Sequence, residues 1–492
     1  MDQSGTSASD AKFLQYHEPG IVEILIIVSF VAFLWVAGHV SKKVIRAGII
    51  GPIAVGIIYG EPLANLLVRD WQETFLYLGY IGLILLIFQG GLTARVDLLR
   101  ANFTLSVCAA ATGIILPIAF SYVLLYLGFG HGAVETFVVG AALSATSLGT
   151  TFAVISGASE EVDLSQTRVG AVLVSAAVID DVTGLVMSSV IHDLGDIPTG
   201  GTSLGWLIGR PILASALMAI LTPILTKWFF APLFRKFIEP YFHKLGHVSN
   251  IALMILVLSA FISIAAYAGT SVLFGAFLAG AFLTYLPSKH AEGPFVVLGR
   301  EEGEREKHKS PTFVHTFEYY CLDFQQYLLE PLFFASIGFA TPFLKLWSGK
   351  AIWRGIVYTL LMLVAKFAVG IWIPIWALAS LASTKDDSSA SRDEESLDQP
   401  EVGEEESART RELEASISPG LLLGMAMVAR GEIGLLIVEI GYNNTDYVSQ
   451  AGFLTAVWAI LLNTILGPVA VGVLVKHKAN LIAKPRPNQP SG

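Results

Sequence analysis

Charged residues are scarce in this 492-residue chain, at 14% of the sequence, whereas 54% of the residues are hydrophobic. Soluble globular proteins carry about 25% charged residues, so this deficit excludes an ordinary soluble domain and indicates a polytopic membrane protein. Cysteine occurs only twice, which excludes a disulfide framework or a cysteine metal site. No basic face suggests a nucleic-acid partner, and no Gly-x-x-x-x-Gly-Lys phosphate loop suggests ATP-driven pumping.

The amino-terminal segment also lacks the pattern of a cleaved signal peptide. Residues 1–20 are polar, without a basic stretch that leads into a short apolar core, so the first apolar segment is expected to act as the insertion signal. From there, apolar runs predict about 13 transmembrane helices in an all-α domain over residues 21–475. The predicted spans are residues 21–40, 44–60, 75–93, 103–129, 134–157, 169–191, 204–226, 250–269, 271–286, 327–344, 351–382, 417–441 and 451–475.

Polar segments frame these spans: a tail at residues 1–20, a loop at 287–326, an acidic segment at 383–416 and a basic tail at 476–492. The acidic segment is rich in Ser, Glu and Asp, which favours a disordered loop that serves as a linker or as a partner-binding site. With 13 spans, most basic short loops lie on one side, which predicts that the acidic loop and the carboxyl terminus are cytosolic. The amino terminus then faces the outside or an organelle lumen. Lys345, Lys350 and Arg354 lie on the opposite side and count against this orientation.

Two adjacent carboxylates, Asp180 and Asp181, lie in the middle of the sixth span, residues 169–191. Charge at the centre of a spanning helix costs at least about 2.5 to 3.5 kcal/mol per group, so the pair needs a compensating interaction. A bound cation or proton is one such interaction, and a basic residue on another helix, with a purely structural role, is the other. Intramembrane acids face cavities and carry ions more often than they brace helices, which favours an ion-binding site.

Two other spans are interrupted by residues that disfavour a continuous helix. The fifth contains five hydroxyl residues and a glycine within 143–151, and the twelfth contains Arg430, Glu432 and two glycines within 429–434. Unwound backbone at membrane depth is tolerated inside protein or along a watery cavity, where transporters use it to coordinate ions. Both interruptions are therefore predicted to belong to a binding site. The structural alternatives are helix packing through small residues in the fifth span and a self-satisfying Arg430–Glu432 ion pair in the twelfth.

The placement of these features repeats in the two halves of the chain. An interrupted fifth span precedes the acidic sixth, and an interrupted twelfth follows the eleventh, which carries Lys366. Residues 88–92 (Phe-Gln-Gly-Gly-Leu) in the third span have a weak counterpart in residues 334–338 (Phe-Ala-Ser-Ile-Gly) of the tenth. The two five-span units, about residues 44–191 and 271–475, start an odd number of crossings apart. They are expected to insert with opposite topology, as in the inverted repeats of many secondary transporters, with the site at the midplane.

In combination, these residues resemble the monovalent cation:proton antiporter superfamily over about residues 44–475. The resemblance is closer to the double-aspartate, sodium/proton exchanger-like branch than to the Asn-Asp electroneutral branch. It is carried by Asp180 and Asp181, the interruption at 144–147, Lys366, the run Arg430-Gly431-Glu432, and residues 88–92. It implies the sodium/proton antiporter fold, with two inverted five-helix repeats whose broken helices cross, and a homodimer.

The resemblance also implies roles for the charged residues of the sixth and eleventh spans. Asp181 is expected to be the principal carboxylate for a proton or for a metal cation, Na⁺, Li⁺ or K⁺. Asp180 is expected to be a further ligand of that cation and to pair with Lys366 when no ion is bound. Burial disfavours an ionised carboxylate whereas a nearby Lys366 favours it, so the site can be poised to exchange a proton for a cation near neutral pH.

The interrupted spans are expected to complete this site. By the same resemblance, Thr146 and Ser147 line it, and Arg430 and Glu432 offset the charges of the helix ends where the fifth and twelfth spans cross. Hydroxyl groups and freed carbonyls would supply the oxygen ligands that a hard monovalent cation prefers.

The sequence therefore predicts a secondary active transporter, with no cofactor and no enzymatic activity, that exchanges a monovalent cation for protons electrogenically by alternating access. A passive cation channel and an electroneutral K⁺/H⁺ exchanger are the alternatives, although a channel needs a continuous pore with weak multi-site binding. An intramembrane aspartyl protease is the least favoured reading, because its two aspartates lie on separate helices, whereas Asp180 and Asp181 are adjacent. No retention or lipidation signal selects the plasma membrane or an internal membrane.

Overall fold

The computed structural model describes residues 18–94, 102–147, 168–195, 204–239, 241, 246–287, 312–379 and 402–482, and all regular secondary structure in these ranges is helical. The α-helices are α1 (Ile21–Ile45), α2 (Ile50–Tyr59), α3 (Arg69–Leu92), α4 (Phe103–Ser121), α5 (Ala133–Ser144), α6 (Arg168–Gly195), α7 (Leu204–Leu225), α8 (His247–Ala268), α9 (Val272–Tyr285), α10 (Phe313–Tyr320), α11 (Glu330–Ala340), α12 (Gly349–Phe367), α13 (Val402–Ala426), α14 (Glu432–Asn443) and α15 (Gln450–Ile482). Shorter helical pieces extend or join them: Tyr122–Gly128, Thr226–Phe230, Ala231–Leu233, Phe234–Ile238, Leu322–Phe324, Gln325–Leu329, Phe343–Leu346 and Ala368–Ile371.

Eight helical segments in the described ranges are long and apolar enough to cross a membrane. They overlap α1, α3, α4, α6, α7, α8, α12 and α15, and a spanning helix needs about 20 residues. The other five predicted spans have shorter apolar helices: α2, α5, α9, α11, and the α13–α14 pair, in which only Leu413–Ala426 of α13 is apolar. The predicted all-α, multi-span architecture is confirmed, and two of the short elements, α5 and α13–α14, are those predicted to be interrupted.

The predicted polar loop at residues 287–326 is partly helical, because α10 begins at Phe313. Thr312 caps this helix, and its side chain accepts a hydrogen bond of 3.0 Å from the His315 N–H. Phe313 and Phe317 on its inner face are each only 2% exposed. An eight-residue amphipathic helix is too short and too polar for the hydropathy pattern that identifies spans. Residues 288–311 lie outside the described part of the chain.

Two other predicted polar segments are also shorter than expected. The acidic segment 383–416 is helical from Val402, where α13 begins, and α15 continues to Ile482 instead of ending at residue 475. Glu, Ala, Arg and Leu favour helix, and extending an existing helix avoids the cost of nucleating a new one. Residues 380–401 and 483–492 are not among those described.

The helices pack in two groups. In the first, here called the scaffold, α3 packs against α9 and α11, α2 packs against α1 and α11, and α8 packs against α9. In the second, here called the core, α4 packs against α5, α6 and α12, α15 packs against α12 and α13, and α14 packs against α5 and α6. The core helices α6 and α15 are the most enclosed of the spanning helices. In their most apolar stretch 56% of the residues are buried, against 11% in that of α1 and of α7. The interior of the molecule therefore lies between the core helices.

This packing follows the predicted inverted repeat. In the predicted repeats, α2, α3, α4 and α6 correspond to α9, α11, α12 and α15. The α3–α9 contact is then equivalent to the α11–α2 contact, and the α4–α6 contact is equivalent to the α12–α15 contact. A glycine lies at each scaffold contact: a Cβ on Gly91 would collide with the backbone of Phe277, and a Cβ on Gly338 would collide with the backbone of Ile53. Small residues let two helix backbones approach closely, which explains why segments 88–92 and 334–338 are similar.

Candidate ion-binding site

Two helix interruptions meet inside the core. Helix α5 ends at Ser144 and is followed by extended backbone at Ala145, while α13 ends at Ala426 and α14 begins only at Glu432. The Ser147 N–H donates a hydrogen bond of 2.9 Å to the carbonyl of Ala429, which joins the two interruptions directly. The two broken helices therefore touch, as the fold prediction required. The remainder of the hydroxyl run, residues 148–151, lies outside the described residues.

Arg430 is fully buried where the interruptions meet. Its Nη1 donates hydrogen bonds to the carbonyl of Ala145 at 3.1 Å and to the carbonyl of Met427 at 3.2 Å. These carbonyls follow the ends of α5 and α13, where unpaired carbonyls and the helix dipoles concentrate negative charge, so a guanidinium is favourable there. The backbone of the second interruption is held from α15, because the Thr464 hydroxyl donates a hydrogen bond of 2.8 Å to the Arg430 carbonyl.

An ion pair between Lys366 and Asp180 is buried beside this meeting point. The Lys366 Nζ lies 2.9 Å from the Asp180 Oδ2, and neither side chain is exposed. The Thr146 hydroxyl donates a hydrogen bond of 2.8 Å to the same Oδ2, and the Lys366 Nζ donates one of 2.9 Å to the Thr146 Oγ1. Such added hydrogen bonds are what a buried ion pair needs to balance the loss of hydration. The Asp180 Oδ1 has no hydrogen-bond partner among the described residues.

Helix α4 leaves room for this ion pair at Gly113. A Cβ at Gly113 would lie 3.2 Å from the Lys366 Nζ and 3.6 Å from the Asp180 Oδ2. The same helix carries Ser121, whose hydroxyl forms a buried hydrogen bond of 2.5 Å with the Tyr358 hydroxyl. Neither Gly113 nor Ser121 could be picked out from the sequence, since glycine and serine occur in many spans. The one available signal was the spacing of eight residues between Tyr358 and Lys366, which places both on one face of α12.

Asp181 differs from its neighbour Asp180 in being partly exposed. Within the described part of the chain, no hydrogen bond or ion pair engages its carboxylate. Its charge interacts unfavourably with Glu432, at the start of α14, and favourably with Lys366. An accessible, unpaired carboxylate at membrane depth is a position that a proton or a hard cation can occupy.

The predicted residues thus come together with different degrees of contact. Thr146, Asp180 and Lys366 share one hydrogen-bond network, whereas Ser147 joins the region through its backbone. The structure does not show the alternative, a direct Arg430–Glu432 ion pair. Among the described residues, Arg430 donates hydrogen bonds to backbone carbonyls, and no ion pair within 4.0 Å joins Arg430 to Glu432. The functional roles assigned to these residues remain predictions.

Two interrupted helices that meet in a membrane domain define a class of protein, and here a lysine–aspartate pair and an aspartate without a partner among the described residues lie beside them. Discontinuous helices of this kind supply free carbonyls and helix ends to the binding sites of secondary transporters, and opposing repeats let the core move against the scaffold. The fold and the site therefore place the chain among secondary transporters.

Comparison with known proteins specifies the family. The family model described as sodium/hydrogen exchanger, transmembrane, matches residues 26–477. The chain belongs to the sodium/hydrogen exchanger family, and it is accordingly an integral, multi-pass membrane transporter and not an enzyme. The family resemblance predicted from the sequence is confirmed.

Individual relatives and structures extend this result. The chain is 24% identical over 451 residues to a Na⁺/H⁺ antiporter of Enterococcus hirae, an alignment that covers 90% of this chain and 95% of the relative. It is also 24% identical over 433 residues to the Na⁺/H⁺-K⁺ antiporter GerN of Bacillus cereus, covering 88% and 91%. The structure of the sodium proton antiporter MjNhaP1 from Methanocaldococcus jannaschii is similar, with a TM-score of 0.54 and 17% identity over 94% of this chain and 98% of that one. This likeness shows the shared fold alone.

Proposed function

We propose that this protein exchanges a monovalent cation, Na⁺, Li⁺ or K⁺, for protons across a membrane by alternating access. The observation that carries the proposal is a partly exposed Asp181, without a partner in the described part of the chain, next to the buried Lys366–Asp180 pair, where two helix interruptions meet. Carboxylate, hydroxyl and carbonyl oxygens are close by, and hard monovalent cations prefer oxygen ligands. The names of two relatives, which include Na⁺/H⁺ and Na⁺/H⁺-K⁺ antiport, support it.

Exchange follows from competition for Asp181. A bare carboxylate anion is costly at membrane depth, so Asp181 holds either a proton or a cation. Loading a cation from one side therefore releases the proton to that side, and the reverse occurs on the other side. Movement of the core against the scaffold changes the side to which Asp181 is open.

Because of Lys366, each exchange cycle moves net charge across the membrane. When a cation recruits Asp180 as a further ligand, the fully buried Lys366 loses its carboxylate partner and releases a proton. Two protons then leave for each cation bound, so transport is electrogenic. Lys366→Ala should move less charge per cation than wild type in potential-sensitive dye recordings. Equal membrane potential per ion moved in the two proteins would show that the lysine is not a coupling residue.

The orientation and the assembly are part of the proposal. Lys42 and Lys43 lie in the last turn of α1, on the side that carries most of the basic short loops, and we place that side and the carboxyl terminus in the cytosol. Only 11% of the residues in the most apolar stretch of α1, and of α7, are buried. The exposed apolar surface of these two helices suits contact with lipid and with a second copy in a homodimer. The membrane is the plasma membrane or an internal organelle membrane.

The test uses purified protein in proteoliposomes with an imposed pH gradient and a pH-sensitive dye. Addition of Na⁺, Li⁺ or K⁺ should dissipate the gradient with wild type and leave it intact with Asp181→Asn, and the ranking of ions gives the preference. The control is Glu439→Gln on α14, a core carboxylate that accepts a hydrogen bond of 3.0 Å from Asn443 and should transport at the wild-type rate. The proposal fails if no cation dissipates the gradient, or if Asp181→Asn transports as well as wild type.

A further inference from the structure

A buried histidine–glutamate pair lies outside the proposed exchange site, at one end of the core. His131 lies between α4 and α5, and Glu135 is in the first turn of α5. The His131 Nδ1 lies 3.1 Å from the Glu135 Oε2, and each side chain is only 7% exposed. Charged side chains are almost never buried to this extent without partners, so the contacts around the pair decide its state.

Glu135 joins α5 to the beginning of α15. The Ser449 N–H donates a hydrogen bond of 3.0 Å to the Glu135 Oε1, and the Ser449 hydroxyl donates to the same oxygen. Gly452, in the first turn of α15, leaves room for this oxygen, because a Cβ there would lie 2.2 Å from it. The amino end of a helix favours negative charge, so a carboxylate is stabilised at this position.

His131 contacts α12 through its other ring nitrogen. The Arg354 Nη1 lies 3.4 Å from the His131 Nε2, and the Arg354 Cζ lies 4.5 Å from the ring centroid of Phe129. A guanidinium has no acceptor and stays protonated, so the Nε2 must accept in this hydrogen bond. His131 is then neutral, and its one ring proton is on Nδ1, which faces Glu135. The contact with Arg354 therefore requires the neutral form of His131.

The charge of His131 depends on Glu135 and Arg354 alone among its neighbours. The other titratable side chains at this end of the packed elements are Tyr122 and Tyr126 after α4, His192 and Asp193 on α6, Lys350 on α12, Glu439 and Tyr442 on α14, and Asp446 and Tyr447 before α15. Within the described ranges, none of them makes a hydrogen bond or an ion pair with His131 or Glu135.

The three helices that meet at this cluster also carry the proposed ion site. Helix α5 leads to Thr146, and α12 carries Lys366, which donates a hydrogen bond of 2.9 Å to Thr146. Helix α15 carries Thr464, whose hydroxyl donates to the Arg430 carbonyl. The contacts of His131 therefore hold together one end of the helices whose relative position sets the ion site. In the proposed orientation, this end faces the outside or an organelle lumen.

We infer that His131 is a regulatory proton site, which holds α12 against α5 and α15 when neutral and releases α12 when it takes up a proton from the outer side. Histidine changes charge between about pH 5 and 8. A proton on Nε2 removes the acceptor of Arg354 and places two like charges 3.4 Å apart, while Glu135 stabilises the imidazolium.

Release of α12 slows transport, because it displaces Lys366 relative to Thr146. The inference rests on the proposed antiport and adds to it a control by the outer pH. Transport slows when the outer side is acidic, which limits proton entry from that side.

The test separates His131 from the competition between proton and cation at Asp181. Proteoliposomes contain a saturating concentration of the transported cation on both sides at equal pH, and the exchange of radioactive Na⁺, or of Rb⁺ in place of K⁺, is measured. The core then moves with a cation bound in both directions, so a proton at Asp181 does not enter the cycle. The neutral fraction of a histidine falls about tenfold from about pH 8 to about pH 5.5, and wild-type exchange should fall about three- to tenfold.

Two substitutions fix the charge of His131. His131→Gln forms hydrogen bonds without titrating, so its exchange should change less than about twofold over this range and exceed that of wild type at the acidic end by about threefold or more. His131→Lys is charged throughout and should exchange at about the acidic wild-type rate at every pH. The matched control is His192→Gln, a 55% exposed histidine at the same end of α6, and it should keep the wild-type profile.

Faster exchange by His131→Gln than by wild type at acidic pH is a result that a purely structural role cannot give. If His131→Gln depends on pH as wild type does, or is slower at every pH, the regulatory site is overturned while antiport stands. If wild type exchanges no cation at any pH, the proposed antiport has failed and the regulatory site fails with it.

A measurement on wild type alone covers the case in which the His131 variants do not fold. Amide hydrogen exchange, corrected for the intrinsic effect of pH, should become about threefold faster or more in residues 353–358 of α12 between about pH 8 and about pH 5.5. Residues 79–88 of α3, in the scaffold, should keep their protection. Equal protection of α12 at both pH values contradicts its release.

Discussion

Removal of the Lys366 ammonium is the most direct test of the buried network. Lys366→Met keeps an unbranched apolar chain of similar length but leaves Asp180 without its cation. Asp180 would retain the 2.8 Å hydrogen bond from Thr146 to Oδ2, while its Oδ1 already has no partner among the described residues. The variant therefore leaves a buried carboxylate with one hydrogen bond and no ion-pair partner among the described residues.

The size of the effect follows from the complete burial of both side chains. Removing one member of a buried ion pair costs about 3 to 5 kcal/mol, and no solvent reaches this pair to reduce that cost. Asp180→Asn strands the ammonium instead and should cost a similar amount. The double variant buries neither charge of the pair, so it should be less destabilised than either single variant. The coupling energy should then be at least about 2 kcal/mol, against about 0.5 kcal/mol for residues that act independently.

The free energy of unfolding is measured in mixed micelles with an increasing fraction of denaturing detergent, followed by tryptophan fluorescence. The four proteins are wild type, the two single variants and the double variant. Thr146→Val serves as a control that keeps the ion pair but removes the two hydrogen bonds between Thr146 and its members, and it should cost about 1.5 to 3 kcal/mol. If the double variant is destabilised by the sum of the two single effects, Lys366 and Asp180 do not act as one unit and the reasoning is refuted.

Three further substitutions test neighbouring parts of the site. Gly113→Ala should slow transport without unfolding the protein, because its methyl would lie 3.2 Å from the Lys366 Nζ; Gly90→Ala, with nothing within 4 Å of the new Cβ, should keep the wild-type rate. Arg430→Lys replaces a guanidinium that bonds two carbonyls and should destabilise the protein by about 1.5 to 3 kcal/mol, so an unchanged unfolding midpoint would contradict its role. Thr464→Val removes the hydrogen bond to the Arg430 carbonyl and should lower the free energy of unfolding by about 1 kcal/mol in the same assay. A decrease above about 3 kcal/mol would contradict a role limited to this one hydrogen bond.

The membrane class and the positions of the charges at membrane depth could be predicted from the sequence because a bilayer imposes local requirements. An apolar run of about 20 residues reveals a span, and charge or unwound backbone within it needs a reason. Asp180, Asp181, Lys366 and Arg430 were identified in this way, as were the interruptions that follow Ser144 and Ala426. The same reasoning overlooked α10 and the early start of α13, because short or charged helices carry no such signal.

Glu330 is an acidic residue that was not predicted to belong to the site. It lies in a predicted span, and the rule that drew attention to Asp180 and Asp181 applies to it equally. Its position near the beginning of the span gave no indication of depth.

The sequence by itself determined that this protein is a multi-span membrane protein with ionisable groups and helix interruptions at membrane depth. Only the tertiary structure decided which groups meet: Lys366 reaches Thr146 across 220 residues of chain, and Arg430 reaches Ala145 across 285. Residue patterns report local periodicity, whereas these contacts depend on how the whole core packs. That packing distinguishes a buried Asp180, held by Lys366, from a partly exposed Asp181 whose carboxylate has no partner among the described residues.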